Sequence, residues 1–219
     1  MPKNYISNSE ESVRMFKSNL LEGLSKVHFS VPLFIYIPVI GYYVWKAFFT
    51  AHAGALIFIG FYALGLLIWS FAEYVLHRFV FHFVPKSKWG LRMHFVFHGV
   101  HHDYPNDRKR LVMPPSVSIP LAFLFYFLFS LFLSAAQLYS FFPGFVTGYL
   151  IYDISHYALH HFNFKSSLLK KMKKHHMLHH YADADKGYGV SSSFWDKIFQ
   201  SDFDKKPAAV KQEATSTTS

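Results

Sequence analysis

Four apolar runs alternate with polar segments along the 219-residue chain. The first pair, residues 29–49 and 54–76, is separated by the short break TAHA, and the second pair, residues 115–135 and 142–159, by the uncharged stretch AQLYSF. Each run is near the ~20 residues that a helix needs to cross a bilayer. The pattern predicts an all-α integral membrane protein with four transmembrane helices in two hairpins.

The basic residues lie almost entirely on one side of these hairpins. Residues 1–28 hold four Lys and Arg, residues 78–110 hold seven and residues 165–211 hold ten, which is 21 of the 22 in the chain; the other is Lys46. Cytosolic segments of membrane proteins are enriched in Lys and Arg. Both termini are therefore predicted to be cytosolic, in a bacterial inner membrane or the endoplasmic reticulum.

Three segments are expected along the chain. Residues 1–28 are polar and form a cytosolic N-terminal segment, residues 29–204 form one membrane domain, and residues 205–219 are low in apolar residues and form a disordered tail. The alternative, a soluble protein with buried core helices, is disfavoured because a chain that is 52% hydrophobic and 16% charged has too little polar surface to cover such helices.

Composition also limits the chemistry. The chain has no cysteine, which excludes thiolate zinc sites, iron–sulfur clusters and cysteine nucleophiles. The net charge of +9 could suggest nucleic acid, but the aromatic residues lie in the apolar runs rather than on a basic polar face. We expect a bilayer and an apolar substrate as partners, and no nucleic acid.

Thirteen of the fifteen histidines fall in four groups, within LHRFVFH, HFVFHGVHH, DISHYALHH and KHHMLHH. The first and third groups lie at the predicted cytosolic ends of the second and fourth runs, and the other two lie in the segments that follow. All four can meet in one layer, a cytosolic helical cap at the membrane surface. His28 and His52 stand alone and are interpreted as solvated side chains.

Spacing suggests which rings can converge. Residues at i, i+3 and i+4 share a helical face, which applies to His98, His101 and His102, to His176, His179 and His180, and to His156 with His160. His77 and His82 are five apart and diverge by about 140° on a regular helix, so they would suit two different metals or a helix that ends between them. His161 and His175 point away from the faces of their groups, whereas His94 lies on the His98 face.

The type of ligand limits which metals could bind. Imidazole suits iron, zinc, copper and nickel, whereas calcium and magnesium prefer oxygen ligands. So many imidazoles exceed the capacity of one ion and imply two. A structural zinc pair is the alternative, although such sites usually combine Cys with His. A redox pair that faces an apolar substrate is the favoured interpretation.

Two carboxylates lie within the apolar runs, each close before a histidine. Glu73 precedes His77 by four residues, and Asp153 precedes His156 by three. Carboxylates inside a membrane domain are costly and usually functional. We expect both to orient imidazoles through the ring nitrogen that does not bind metal, or through a bound water. Direct ligation and a helix-packing hydrogen bond are the alternatives.

The stretches EYVLHRFVFHF, HGVHHDYPNDRKRLVMPP, YDISHYALHH and KKHHMLHHYADADKGYGVSSSFWDKIF resemble those of the integral-membrane fatty acid hydroxylase superfamily. Within it, RLVMPP and GYGVSSSFWD favour the sphingolipid fatty acid 2-hydroxylases. The resemblance covers about residues 60 to 200. It implies two iron ions, which zinc can replace in purified protein, and ten ligands: His77, His82, His98, His101, His102, His156, His160, His176, His179 and His180.

The resemblance also implies the reaction, an O2-dependent hydroxylation of the alpha carbon of a long-chain fatty acid or of the N-acyl chain of a ceramide. Tyr152, Asp153 and the RLVMPP stretch are expected to hold the polar head of the substrate. Fungal and animal members carry a cytochrome b5 domain with an HPGG motif that is not seen here, so a separate cytochrome b5-like or ferredoxin-type donor is expected. A desaturase, a sterol or alkane oxidase and, less favoured, a metal transporter are the alternatives.

Overall fold

The computed structural model describes residues 6–7 and 9–203, and all regular structure within them is helical, which confirms the all-α prediction. The tail predicted at residues 205–219 lies outside the described residues. The helices are α1 Asn19–Leu24, α2 Val31–Trp45, α3 Ala55–Val75, α4 Lys88–His94, α5 Val100–Asp103, α6 Pro115–Ser130, α7 Ala135–His161, α8 Ser167–Tyr181 and α9 Phe194–Ile198. Three π-helical turns, Lys46–Thr50, Leu76–Phe81 and Phe95–Gly99, continue α2, α3 and α4.

The first hairpin matches its prediction closely. With their π-helical turns, α2 covers 20 residues and α3 covers 27 residues, and both are long and apolar enough to cross a membrane. Large apolar side chains on their outer surface are exposed, among them Phe34, Leu56 and Ile59. Because a bilayer is the solvent that favours such a surface, the first hairpin has the character of a membrane element.

The second hairpin turns earlier than the sequence predicts. The AQLYSF stretch, residues 136–141, does not connect two helices but belongs to α7. The connection lies at residues 131–134, because Ser134 caps α7 and forms a capping box with Gln137, whose Oε1 accepts from the Ser134 N–H at 3.0 Å. As a result α6 has 16 residues and α7 has 27.

Helix α7 lies at the centre of the bundle and packs against α2, α3 and α6. Its contact with α3 is a backbone-to-backbone approach at two glycines. A Cβ atom on Gly144 would lie 2.1 Å from the carbonyl oxygen of Tyr62, and one on Gly65 would lie 2.2 Å from that of Phe141. Only glycine permits this separation, so these two positions fix where the helices cross.

The residues before α2 fold back over the segment that joins α5 to α6. The Ser7 N–H donates to the Asp103 carbonyl at 2.8 Å, and the Val27 N–H to the Lys109 carbonyl at 2.9 Å. The N-terminal segment is therefore packed against α5 and the residues that follow it.

Candidate metal centre

Ten histidines form two compact groups, within each of which the candidate ligand nitrogens all lie within 4.8 Å of one another. Group A contains His77, His82, His98, His102 and His179, and group B contains His101, His156, His160, His176 and His180. These are the ten positions that the resemblance implies. Among the described residues, His94, His161 and His175 belong to neither group.

His77 and His82 lie in the same group, which contradicts their expected divergence. The cause is the π-helical turn Leu76–Phe81, in which the His82 N–H donates to the His77 carbonyl at 3.1 Å. A bond from residue i+5 to residue i widens the turn and brings positions five apart onto one face. Both rings therefore point into group A.

The histidines of α8, and those of the turn that continues into α5, are divided between the groups. Pairs at i, i+4 stay together: His98 with His102 in group A, and His156 with His160 and His176 with His180 in group B. The third member of each predicted triplet, His101 or His179, lies in the other group. Histidines on one helical face are thus divided between the two groups and do not all belong to one.

Neighbouring imidazoles are too close to be charged together. The Nε2 atoms of His98 and His102 are 3.0 Å apart, and those of His101 and His156 are 2.8 Å apart. Burial, followed by repulsion from neighbouring rings, holds the pKa of His98, His101 and His102 well below its usual range. The rings are neutral at physiological pH, so their lone pairs are available to a metal.

Several of these ring nitrogens are buried without a hydrogen-bond partner in the described structure. They include Nδ1 of His101, Nε2 of His179 and both ring nitrogens of His180. Burying an unpaired polar group is costly. Cations held by each group would satisfy the nitrogens that face them, so the residues fit two metal ions with imidazole ligands.

A loop after α8 orients two ligands of group A. Nδ1 of His77 donates to the Tyr188 carbonyl at 2.5 Å, and Nδ1 of His179 donates to the Lys186 carbonyl at 2.7 Å. With Nδ1 protonated, Nε2 carries the lone pair. This is the support that metal-bound histidines usually have.

Glu73 and Asp153 do not hydrogen-bond directly to an imidazole in the described structure. Glu73 Oε1 accepts from the N–H groups of Val190 and Ser191 at 2.8 Å, and Oε2 accepts from the Ser191 hydroxyl. Asp153 accepts from the Met113 N–H and the Tyr149 hydroxyl, each at 3.0 Å. His77 already has a backbone acceptor, so Glu73 binds loop donors instead, and neither carboxylate belongs to a metal group.

Sequence reasoning missed Asp196, which is completely buried and lies beneath the same loop. Its carboxylate accepts from the N–H groups of Tyr188 at 2.9 Å and Gly189 at 2.8 Å and from the Ser201 hydroxyl at 2.9 Å. Burial would raise its pKa, but hydrogen bonds, first of all from His175, hold the pKa below its ordinary value. Asp196 ends the GYGVSSSFWD stretch quoted above, but it is a single carboxylate among aromatic and apolar neighbours and has no periodicity that would reveal this role.

A cavity of about 590 Å³ opens onto the metal groups. Rings of both groups contribute to its lining, together with Tyr152, Asp153 and the RLVMPP stretch. The remaining walls are mostly apolar and come from α1, α4, α6 and the end of α3. A smaller pocket of about 40 Å³ between α2, α3, α6 and α7 shares Leu76, Met113 and Leu121 with it. The mostly apolar lining suits an apolar ligand.

Comparison with known proteins adds independent information. The family model for fatty acid hydroxylases matches residues 62–201. The chain is 38% identical over 194 residues to a dihydroceramide fatty acyl 2-hydroxylase of Arabidopsis thaliana, which covers 87% of this chain and 80% of the relative. It is 37% identical over 216 residues to the fatty acid 2-hydroxylase of Homo sapiens, covering 89% of this chain and 58% of the human protein.

A solved structure has the same fold. The visible hydroxylase domain of full-length scs7p superposes with a TM-score of 0.80 at 36% identity, covering 85% of this chain and 70% of that one.

Proposed function

Because this chain belongs to the fatty acid hydroxylase family, we propose that it hydroxylates the alpha carbon of a long acyl chain, either in a free fatty acid or in the N-acyl chain of a ceramide. The observation that carries the proposal is that rings of both five-histidine groups line a mostly apolar cavity. The relatives named above act on fatty acids or dihydroceramide, which suits such a cavity.

The ten histidines of groups A and B would hold two iron ions, which zinc can replace in purified protein. Bound there, the metals would supply O2 activation with two electrons from a separate donor protein, cytochrome b5-like or of the ferredoxin type. The chain itself contributes neutral imidazoles, a loop that fixes the tautomers of His77 and His179, and a cavity with mostly apolar walls.

Tyr152 and Asp153 would position the polar head of the substrate. Both line the cavity, and the Tyr152 ring stacks on His156 with a centroid distance of 5.8 Å. The Tyr149 hydroxyl and the Met113 N–H fix the Asp153 carboxylate, and Met113 belongs to the RLVMPP stretch. A head group held here would place the alpha carbon next to the metals and the tail in the apolar part of the cavity.

We also propose that α2, α3, α6 and α7 all cross the membrane, with both termini and the metal cap in the cytosol. The distribution of Lys and Arg supports this orientation, since 21 of the 22 lie in the three segments assigned to one side. Helix α6 is shorter than a typical span at 16 residues, but Leu131, Phe132 and Leu133 extend its apolar surface. The membrane is a bacterial inner membrane or the endoplasmic reticulum.

The test is lipid mass spectrometry of a host that expresses the chain, together with the metal content of the purified protein. We expect 2-hydroxy acyl products and two metal ions per chain. His179→Ala in group A and His101→Ala in group B should abolish the product and lower the metal content, whereas the control His161→Ala should change neither. Product formation by a metal-depleted His101→Ala variant would contradict the proposal, and a desaturated or sterol product would identify a related oxidase instead.

A further inference from the structure

The loop of residues 186–191, which joins α8 to α9, contacts the two metal groups unequally. Its two carbonyl bonds to histidine rings, from Tyr188 to His77 and from Lys186 to His179, both go to group A. Group B ligands come from α5, α7 and α8, and the Nδ1 atoms of His101, His156, His176 and His180 are buried without a hydrogen-bond partner in the described structure. The ring orientations that the loop carbonyls fix are therefore those of group A.

Asp196 hydrogen-bonds to the backbone of this loop. Its two oxygens accept from the successive N–H groups of Tyr188 and Gly189, which fixes the peptide planes on either side of the Tyr188 Cα, and the second of these planes contains the Tyr188 carbonyl. The backbone is folded tightly around the carboxylate, since a Cβ on Gly189 would lie 2.8 Å from Asp196 Oδ2 and 2.1 Å from the Ser192 carbonyl oxygen. Asp196 thus positions the carbonyl that accepts the hydrogen bond from His77 Nδ1.

The same carboxylate also fixes the start of the loop. It accepts from the Ser201 hydroxyl at 2.9 Å, and the Ser201 carbonyl accepts from the Gly187 N–H at 2.8 Å. Gly187 has a φ of +71°, a conformation that glycine adopts most readily. Because Gly187 follows Lys186 directly, this anchor sets the Lys186 carbonyl that orients His179.

We propose that Asp196 is a positioning residue for the group A metal alone, acting through the loop on His77 and His179. This inference rests on the proposed dimetal site. Residues that orient metal-bound histidines typically contribute 10–100-fold in metal affinity. The two metals then differ in how they are retained: loss of Asp196 weakens binding in group A and leaves group B unchanged.

The experiment measures Zn²⁺ stoichiometry and affinity by chelator competition on the full-length chain in detergent. Wild-type protein should bind two Zn²⁺. Asp196→Asn should retain one at wild-type affinity and bind the other 10–100-fold more weakly, because its amide NH2 would face the Gly189 N–H. Asp202→Asn is the matched control, since Asp202 also lies against His175, at 3.4 Å from Nδ1, without holding the loop.

Ligand variants identify which metal is affected. In a His160→Ala background, which disables group B, Asp196→Asn should weaken the remaining site; in a His82→Ala background, which disables group A, it should change nothing. Ser201→Ala removes one bond to Asp196 and should give a smaller loss in the same site. If Asp196→Asn does not fold, as judged by circular dichroism and size-exclusion chromatography, the Ser201→Ala variant is used for the same measurement.

Three outcomes would overturn the inference. Two Zn²⁺ bound at wild-type affinity by Asp196→Asn would refute the role of Asp196 and leave the dimetal proposal intact. Equal weakening of both sites in a folded variant would refute the selectivity for group A. Wild-type protein that binds fewer than two Zn²⁺ would refute the dimetal site and this inference together.

Discussion

Removal of the Glu22 carboxylate should destabilise the protein strongly, although Glu22 lies outside the membrane helices. Its Oε1 lies 2.6 Å from Arg110 Nη2, and the Arg110 side chain is 2% exposed. Its Oε2 accepts from the N–H groups of Met15 and Phe16 at 2.9 and 3.0 Å. Glu22→Ala leaves a buried guanidinium with Asp107 as its remaining partner, at 3.7 Å.

Breaking a buried ion pair from one side costs about 3–5 kcal/mol. In a chain of this size each kcal/mol shifts the melting temperature by roughly 2–4 °C. We therefore expect Glu22→Ala to lower the melting temperature in detergent by about 10 °C. The matched control is Lys26→Ala, which removes the other cation of Glu22; its side chain is 28% exposed, so it should cost only ~0.5 kcal/mol.

The pH dependence gives a second measurement of the same contact. Burial raises the pKa of Glu22, but hydrogen bonds from Lys26, Phe16 and Met15 and the charge of Arg110 lower it from 4.5 to about 2. A carboxyl with a depressed pKa stabilises the fold above its unfolded pKa and loses that contribution as pH falls towards the folded value. The melting-temperature difference between wild type and Glu22→Gln should be constant above about pH 4.5 and shrink below it. Equal, small shifts for Glu22→Ala and Lys26→Ala, or a difference that persists to pH 2, would refute this reasoning.

Two further substitutions test the bundle and the cavity. Gly144→Ala should cost about 1–3 kcal/mol or more in thermal unfolding, because its Cβ meets the Tyr62 carbonyl oxygen; Gly60→Ala on α3, with nothing within 4 Å, should not destabilise, and equal effects would contradict the packing argument. Leu121→Trp fills the junction between the large and small cavities and should shift the 2-hydroxy products towards shorter acyl chains; an unchanged chain-length distribution would mean that the tail runs elsewhere.

The apolar pattern predicts the helices of the first hairpin well because each run ends where polar turn residues begin. It misplaces the turn of the second hairpin because residues 131–141 are all uncharged, so that only the local capping signal distinguishes the turn from the helix that follows. Ser134 and Gln137, three residues apart, are a helix-start signal that the sequence already contains.

The ten histidines that the family resemblance implies are the ones that the structure brings together, but spacing alone does not predict their division into two groups. Helical spacing assumes 3.6 residues per turn, and the π-helical turn at Leu76–Phe81 breaks that assumption. The contacts of Glu73 and Asp196 with residues 188–191 depend on a loop whose path no periodicity specifies.

Helices α3 and α7 approach each other most closely at the glycine crossing, and from it each helix extends as an arm towards the histidines. Twelve residues separate Gly65 from His77, and twelve separate Gly144 from His156. At 1.5 Å per residue each arm is about 18 Å long, so a change of ~5° in the crossing angle moves one end by about 1.6 Å relative to the other. Metal–ligand distances tolerate only about 0.2 Å. A change in the crossing angle would therefore alter the distance between His77 of group A and His156 of group B.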